Sequence, residues 1–452
     1  MNATTVVSTD LLTPLGAYLR LREGGAAAFL LESVEHGRLG RHSFVGCGSQ
    51  LLTFDEAAAA GEPVVGYLGY DHVARLEPTV PLPEAGRGLP ESRFVVADTL
   101  VRFDHALGMA EVLRGDAATV TELLEAPLPP SPDGANGTCE RAGAMRRLPS
   151  RMEYERAVVK AKEHIRAGDA FQIVLSQRAE RPTSASALEL YRSLRRVNPS
   201  PYLFLLELGE LSLVGSSPET LVKLEVPPAM PASDRSHEEA RPRARRASLN
   251  PIAGTTRPGP GDAERLLSSE KDRAEHVMLV DLGRNDLSRV CVPGTVEVER
   301  FLEPERFSHV THLVSEVAGE LRAGVTPFDL LRACFPAGTV SGAPKVRAMQ
   351  IISELERHRR GPYAGAVGYA LGDGSLDTCI AIRTIVLHEG VALLQAGAGI
   401  VADSDPAAEH DECLRKLAAL ETAIELAEAR HSPASSGAVG RAAPEAGGEE
   451  VA

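Results

Sequence analysis

The chain has 452 residues, 43% of them hydrophobic and 24% charged, with a formal net charge of −14. That length and balance bury a sizeable core, and the acidic excess argues against a nucleic-acid partner, which favours a basic patch. Six cysteines (Cys47, Cys139, Cys291, Cys334, Cys379, Cys413) lie far apart with no C-x-x-C pair, a pattern of reduced thiols and not of a disulfide framework or zinc site.

The start, "MNATTVVSTDLLTPLG", lacks a basic region followed by an apolar one, and no apolar stretch reaches membrane-spanning length. A soluble, cytoplasmic protein without a membrane partner is expected. An N-terminal region over 1–125 is followed by a Pro- and Gly-rich connector, 126–150. From residue 151 a main body begins. "MEYERAVVKAKEHIRAGD" spaces Tyr154, Val158, Ala161 and Ile165 for a helix that stops at Gly168. "FQIVLSQRAE" reads as a strand, and "YLFLLEL" with "LSLVGSS" as a strand pair around Gly209. Residues 226–248 form an aperiodic insertion ending in basic Arg241–Arg246, read as a solvated loop. "TCIAIRTIVLHEGVALLQAGAGIV" predicts two strands turning at Glu389-Gly390. A last helix is predicted from the Ser404 cap, with Pro406 in its first turn, to Ala429, and 430–452 reads as a disordered tail. Hairpins separated by long helices indicate a mixed α/β or α+β fold with mainly antiparallel sheets.

Several short motifs carry chemistry. "NPIAGTT" (Asn250–Thr256) suits either a tight turn or close approach of backbone N–H groups to an anion. "GTVSGAPK" has the wrong spacing for a P-loop, and "GAGIVA" is followed by "DSDP" in place of an immediate helix, so neither is a nucleotide motif. Cys47 in "FVGCGSQ" has no neighbouring base and reads as a turn cysteine. Glu275 and His276 fall on a helical pattern leading to Asp281, Arg284, Asn285 and Asp286. Glu409, Glu412 and Lys416 share a face of the last helix. The second group is either a surface i,i+4 pair or, with Glu275, half of a carboxylate site for a hard cation.

Taken in order, "FLLESVEHGRLGRHSFVG", "GYLGYD", "FQIVLSQR", "NPSPYLF", "GSSPE", "PIAGT", "AEHVMLVDLGRNDL", "SHVTHLVS", "FPAGTVSGAPKVRAM", "GPYAGAVGY", "TCIAIRT", "QAGAGIVADSDP" and "DECLRK" resemble the chorismate-utilising enzymes, most closely their anthranilate synthase component I branch. The resemblance implies two large facing antiparallel sheets with helices outside, 1–125 carrying a feedback subdomain and 151–429 the chorismate-binding domain. It implies Mg2+ held by Glu275 and Glu412, and chorismate contacts from Gly254, Thr255, Tyr363, Arg383, Gly397, Gly399 and Lys416. Its catalytic set is Glu219, as acid for departure of the C4 hydroxyl, His312, for pyruvate loss, Gln172 and Thr339. Relatives that activate water or attack the ring covalently carry lysine at the positions of Gln172 or Ala253. Neither an amide nor a methyl group serves those roles, so ammonia is the implied nucleophile, supplied from glutamine only by a separate glutamine amidotransferase subunit. Glu32, Ser33, Pro201 and Tyr202 match a tryptophan feedback site. The pattern slips at Asn250, usually arginine, and at Leu203, often methionine. Two other aminations, to 2-amino-2-deoxyisochorismate or to 4-amino-4-deoxychorismate, and a non-catalytic amino-acid sensor are the competing readings.

Overall fold

Runs of β-branched and aromatic residues make strands here, and most are buried on both faces. The strand Phe29 occupies, Ala27–Glu32, and its neighbour His42–Gly48 are almost wholly buried, as expected of sheets covered on each side. The computed structural model describes residues 5–33, 41–129, 143–227, 244–256, 258–306 and 311–429.

Among these residues the strands form two sheets, one of 12 strands and one of 10. Their ladders are antiparallel throughout. The larger sheet runs from Val6–Ser8 through Met109–Arg114, Thr99–Asp104, His42–Gly48, Ala27–Glu32, Tyr202–Leu208, Leu211–Ser217, Thr384–His388 and Val391–Ile400 to Gln172–Pro182. The smaller runs from Ile252–Thr256 through Thr311–Glu320, Arg246–Leu249, Thr220–Glu225, Leu376–Ile380 and Ala366–Ala370 to Val64–Leu68 and Ser92–Val96.

The sheets face each other across Phe29, Phe204 and Leu206 on one side and Tyr67, Val95 and Val367 on the other. Phe44 and Tyr369 meet across the same layer with ring centroids 4.4 Å apart. Each such buried side chain stabilises the fold by roughly 1.5–3 kcal/mol, which holds the two layers in fixed register. Helices cover the outer faces, including Ala187–Val197 and Pro406–Ala429 on the larger sheet and Glu270–Ser288 and Pro327–Cys334 on the smaller. This is the α+β architecture expected from the sequence.

Several local expectations shift. Strands from the first 125 residues enter both sheets. Arg146–Leu148, at the end of the 126–150 connector, is a strand paired with Gln172–Pro182. At the end of the 226–248 insertion, Arg246–Leu249 pairs with both Thr220–Glu225 and Thr311–Glu320. There Arg245 donates to the Val325 carbonyl at 2.9 Å, and Arg246 donates to Glu316 at 2.8 Å. Backbone pairing and carboxylate partners therefore absorb the basic end of a segment whose composition reads as loop; its residues 228–243 lie outside the described ones, as does the tail 430–452. Cys47 is a buried strand residue, its thiol pushed up by burial, and not a turn cysteine. The last helix is capped by Asp405, whose carboxylate accepts from Ala408 N–H at 2.8 Å. Ser404 instead accepts from Val401 N–H at 3.1 Å, because one residue further on a carboxylate already fills the capping geometry. The Glu389-Gly390 turn has φ of 50° and 70°, the primed geometry that fits a twisted hairpin.

Candidate active site

The site is assembled where the last strands of the larger sheet meet the Ile252–Thr256 edge of the smaller one. Gly397 and Gly399 lie on Val391–Ile400, opposite Ser176 and Val174 of Gln172–Pro182. They are strand residues, not loop residues, and their value is space. A Cβ at Gly399 would stand 2.4 Å from Gln172 Nε2, and one at Gly397 would stand 2.8 Å from the Tyr363 hydroxyl. Without side chains at these two positions, Gln172 and Tyr363 both reach into the gap between the sheets.

Gln172 Nε2 donates to Glu275 Oε1 at 2.9 Å, tying the larger sheet to the helix Glu270–Ser288. The other amide atom, Gln172 Oε1, is buried with no partner among the described residues. On the facing helix, Lys416 Nζ is 2.7 Å from Glu412 Oε1 and donates to the Gly397 carbonyl at 2.8 Å. Glu409 is buried one turn earlier. Burial raises its carboxyl above the usual range, and the charge of Glu412 adds to the effect. Two helices thus present carboxylates, and the strand Gln172–Pro182 an orphaned amide oxygen, beside the glycine floor. Among the described residues no ready-made cluster of three His, Cys, Asp or Glu ligands exists. A hard divalent cation that takes one or two protein carboxylates and completes its shell from water and substrate oxygens fits this donor set in kind.

Glu219 connects Leu211–Ser217 to Thr220–Glu225 and is 8% exposed. Burial pushes its carboxyl up to about 8, against opposing pulls from the nearby Thr339 hydroxyl, which does not reach good hydrogen-bond geometry, the Ile252 N–H and the Lys416 charge. Glu219 is therefore a carboxylic acid at neutral pH, able to give a proton. Asn250, where the family pattern slips, lines a cavity of about 40 Å³ together with Glu219 and Thr339.

Gly254 has φ of +68°, and a Cβ there would crowd Leu266 and Asp272, so the stretch around Ala253 admits only glycine at this point. Its carbonyl accepts from His312 Nδ1 at 2.8 Å. That bond puts the proton on Nδ1 and makes Nε2 the acceptor nitrogen. Burial holds His312 below the usual histidine range, and the Arg383 charge acts in the same direction. Arg383 itself sits at φ of +50°, a strained conformation for a non-glycine residue, with its guanidinium buried. The Thr255 side chain lies outside the described residues. Ala253 is 7% exposed, and its neighbour Ile252 supplies the N–H that reaches Glu219.

Glu219, Thr339, Lys416, Gly397, Tyr363, Gly399, Gln172 and Glu275 thus form one connected set, with His312 bound to Gly254 on the smaller sheet and Arg383, in the link between the two sheets, acting on His312 through its charge. Asp281, Arg284 and Asn285 of the same helical motif point to solvent, while Asp286 is bound to Lys345 at 2.7 Å. Four residues were not legible as functional: the Ile252 backbone, Ser176, Glu356 and Arg360. Glu356 accepts from both the N–H and the hydroxyl of Ser176 and is bound by buried Arg360, whose guanidinium carbon lies 5.8 Å from the Tyr363 ring centroid. The i,i+4 spacing of Glu356 and Arg360 marks an ion pair but not its depth.

Glu32, Ser33, Pro201 and Tyr202 form a second group on adjoining strands. Glu32 accepts from the Tyr191 hydroxyl and lies 3.3 Å from Arg195, and Ser33 Oγ donates to the Pro201 carbonyl at 2.8 Å. The Tyr202 hydroxyl is 2.7 Å from Thr220 Oγ1 and 3.1 Å from Asp377 Oδ1. Burial pushes the Asp377 carboxyl up to about 6.

Fold and site together define a chorismate-binding enzyme. The family described as chorismate binding enzyme matches residues 26–422, and the chain belongs to it. Within that family, anthranilate synthase component 1 of Thermus thermophilus is 42% identical to this chain, over 93% of it and 97% of the relative. The corresponding protein of Streptomyces coelicolor is 43% identical over 93% and 88%. The solved structure of anthranilate synthase component I from Streptococcus pneumoniae superposes with a TM-score of 0.74 at 32% identity, covering 93% of this chain and all of that one. The menaquinone-specific isochorismate synthase of Escherichia coli shares the fold, with a TM-score of 0.70 at 22% identity. Among the described residues no helix is long and apolar enough to cross a membrane.

Proposed function

We propose that the chain converts chorismate and ammonia to anthranilate, pyruvate and water, acting as the component I of an anthranilate synthase. The observation that carries this reading is that neither of the two positions where relatives hold an amine offers one: Gln172 is an amide bonded to Glu275, and Ala253 is a methyl group. Lys416, the lysine beside the glycine floor, is held by Glu412 and the Gly397 carbonyl. The nucleophile therefore comes from outside the protein, and ammonia brings its own lone pair.

In the first step ammonia bonds to ring C2, the ring double bonds shift, and the C4–O bond breaks. Glu219, protonated at neutral pH, gives its proton to the departing hydroxyl, which leaves as water. In the second step His312 Nε2 takes the proton from C2. The C3–O bond then breaks, the ring becomes aromatic, and the three-carbon side chain leaves as the enolate of pyruvate, whose methylene carbon takes a proton, from the His312 imidazolium or from water, to give pyruvate. The Gly254 carbonyl holds the imidazole in the tautomer this needs. Arg383, with Tyr363 and the exposed backbone of Gly397, Gly399 and the Gly254–Thr255 segment, compensates and orients the substrate's carboxylates. Glu275 and Glu412 would hold Mg2+, which supplies charge neutralisation for a substrate carboxylate in an otherwise acidic protein. A separate glutamine amidotransferase subunit delivers ammonia in the complete assembly, and tryptophan bound at Glu32, Ser33, Pro201 and Tyr202 inhibits. Supplying 15N-ammonium to the purified chain tests the reading: label appears in anthranilate, and an unlabelled product or none refutes it.

A further inference from the structure

A cavity of about 320 Å³ is distinct from the site above. It lies along the same strands but on the far side of Tyr363, between residues 84–91 and the Val391–Ile400 strand, and Tyr363 is the one residue of the catalytic set that lines it. Its volume falls at the lower end of pockets that take small molecules, about 300–1,000 Å³.

Arg178 forms the back wall. Its side chain is 12% exposed, yet Nε is buried without a hydrogen-bond partner among the described residues. The nearest carboxylate oxygen, Glu180 Oε2, is 3.8 Å away and already engaged by Arg87 at 2.5 Å, while Arg146 approaches the same carboxylate at 3.6 Å. Three guanidiniums thus share one carboxylate. The other acids at the cavity do not relieve the excess at its back. Asp71 accepts from the N–H groups of Arg360 and Gly361, Glu91 is held by His72 and Arg75, and Glu84 is exposed at the mouth. Arg360 is spent inward, on Glu356 and the carbonyls of Val340 and Val174. A buried unpaired guanidinium N–H is destabilising, and native structures leave few of them unexplained. Leu393 and Val386 line the cavity from the same sheet face as Arg178, and Leu89 and Pro362 complete its apolar wall.

We propose that this cavity is a second binding site, for a small aromatic carboxylate, with Arg178 as the anion anchor and the apolar wall as the seat of the ring. The carboxylate would pair with the Arg178 guanidinium and balance the charge it shares with Arg87 and Arg146. Because Tyr363 forms the partition, its occupant would press on a residue of the reaction site without entering it.

Fluorescence titration and equilibrium dialysis of the full chain with anthranilate, repeated with benzoate, test this. The expected result is two sites per chain. Arg178→Gln weakens one of them at least tenfold and keeps the other, Arg383→Gln does the reverse, and Arg178→Lys gives an intermediate affinity. Far-ultraviolet circular dichroism confirms that each variant is folded. Benzoate binding as well as anthranilate assigns the site to aromatic carboxylates at large, and a preference for anthranilate assigns it to the aminated ring. The absence of any site weakened by Arg178→Gln, whether the chain binds one equivalent or two, overturns the proposal, and a single Arg178-dependent site upholds it. The site count is read without turnover, so it stands or falls apart from the chorismate reaction.

Discussion

Gln172 and Glu275 meet at 2.9 Å, amide to carboxylate, across the gap between the larger sheet and the Glu270–Ser288 helix. In the proposed site the pairing would fix which oxygen of Glu275 is left for a cation. Removing the amide frees Glu275 to turn. Gln172→Ala is expected to raise the Mg2+ concentration for half-maximal activity by about 10- to 100-fold, the usual consequence of losing a group that orients a ligand. A Mg2+ titration of ammonia-dependent turnover checks it, and an unchanged midpoint contradicts it.

Glu219→Gln removes the acid and should lower kcat by about 10²- to 10⁴-fold. It also changes stability in a definite direction. The fold keeps Glu219 protonated up to about 8, against about 4.3 in an unfolded chain. Between those values the folded state binds the extra proton, so stability falls as pH rises through the window. The glutamine variant lacks that slope, and its melting temperature near pH 8 should exceed that of the parent. Parallel melting curves at pH 5 and 8 decide the point.

The pH–rate profile follows from the same two groups. Activity should fall on the alkaline side near pH 8, as Glu219 loses its proton. On the acid side it should fall only below the ordinary histidine value of about 6.5, because burial holds His312 down. Glu219→Gln abolishes the alkaline limb from the residual activity.

His312→Ala separates the two steps. Amination does not use the imidazole, so the variant should consume chorismate while releasing pyruvate about 10²-fold or more slowly. An aminated, non-aromatic product should accumulate, detectable by mass spectrometry. Equal loss of both steps would remove His312 from the second one.

How much of this was legible in the sequence depended on whether side chains or backbone carried it. The last helix, the Gln172 strand and the hairpin at Glu389-Gly390 follow from apolar periodicity and turn residues, and they sit where expected. The strands Arg146–Leu148 and Arg246–Leu249 did not show, because their pairing is set by distant strands and overrides a polar local composition. In the site, the acids and glycines were visible as residue types. The Ile252 N–H at Glu219, the Gly254 carbonyl at His312 and the orphaned Nε of Arg178 were not, since each depends on a meeting of segments far apart in the chain.

Tyr202 touches Thr220, the neighbour of Glu219, so the proposed tryptophan group and the acid share one strand end. Tyr202→Phe leaves buried Asp377 short of a donor and should destabilise the chain by about 1–3 kcal/mol while weakening inhibition by tryptophan. Activity assays across millimolar tryptophan check both proteins, and a parent chain insensitive to tryptophan contradicts the feedback assignment.

The most direct test of the central claim is product analysis of the purified chain given chorismate, Mg2+ and ammonium, beside the same mixture with glutamine in place of ammonium. Anthranilate and pyruvate in equal amounts with ammonium, and no turnover with glutamine, are the predicted result. An aminated chorismate without pyruvate, turnover on glutamine, or no reaction with ammonium would contradict it.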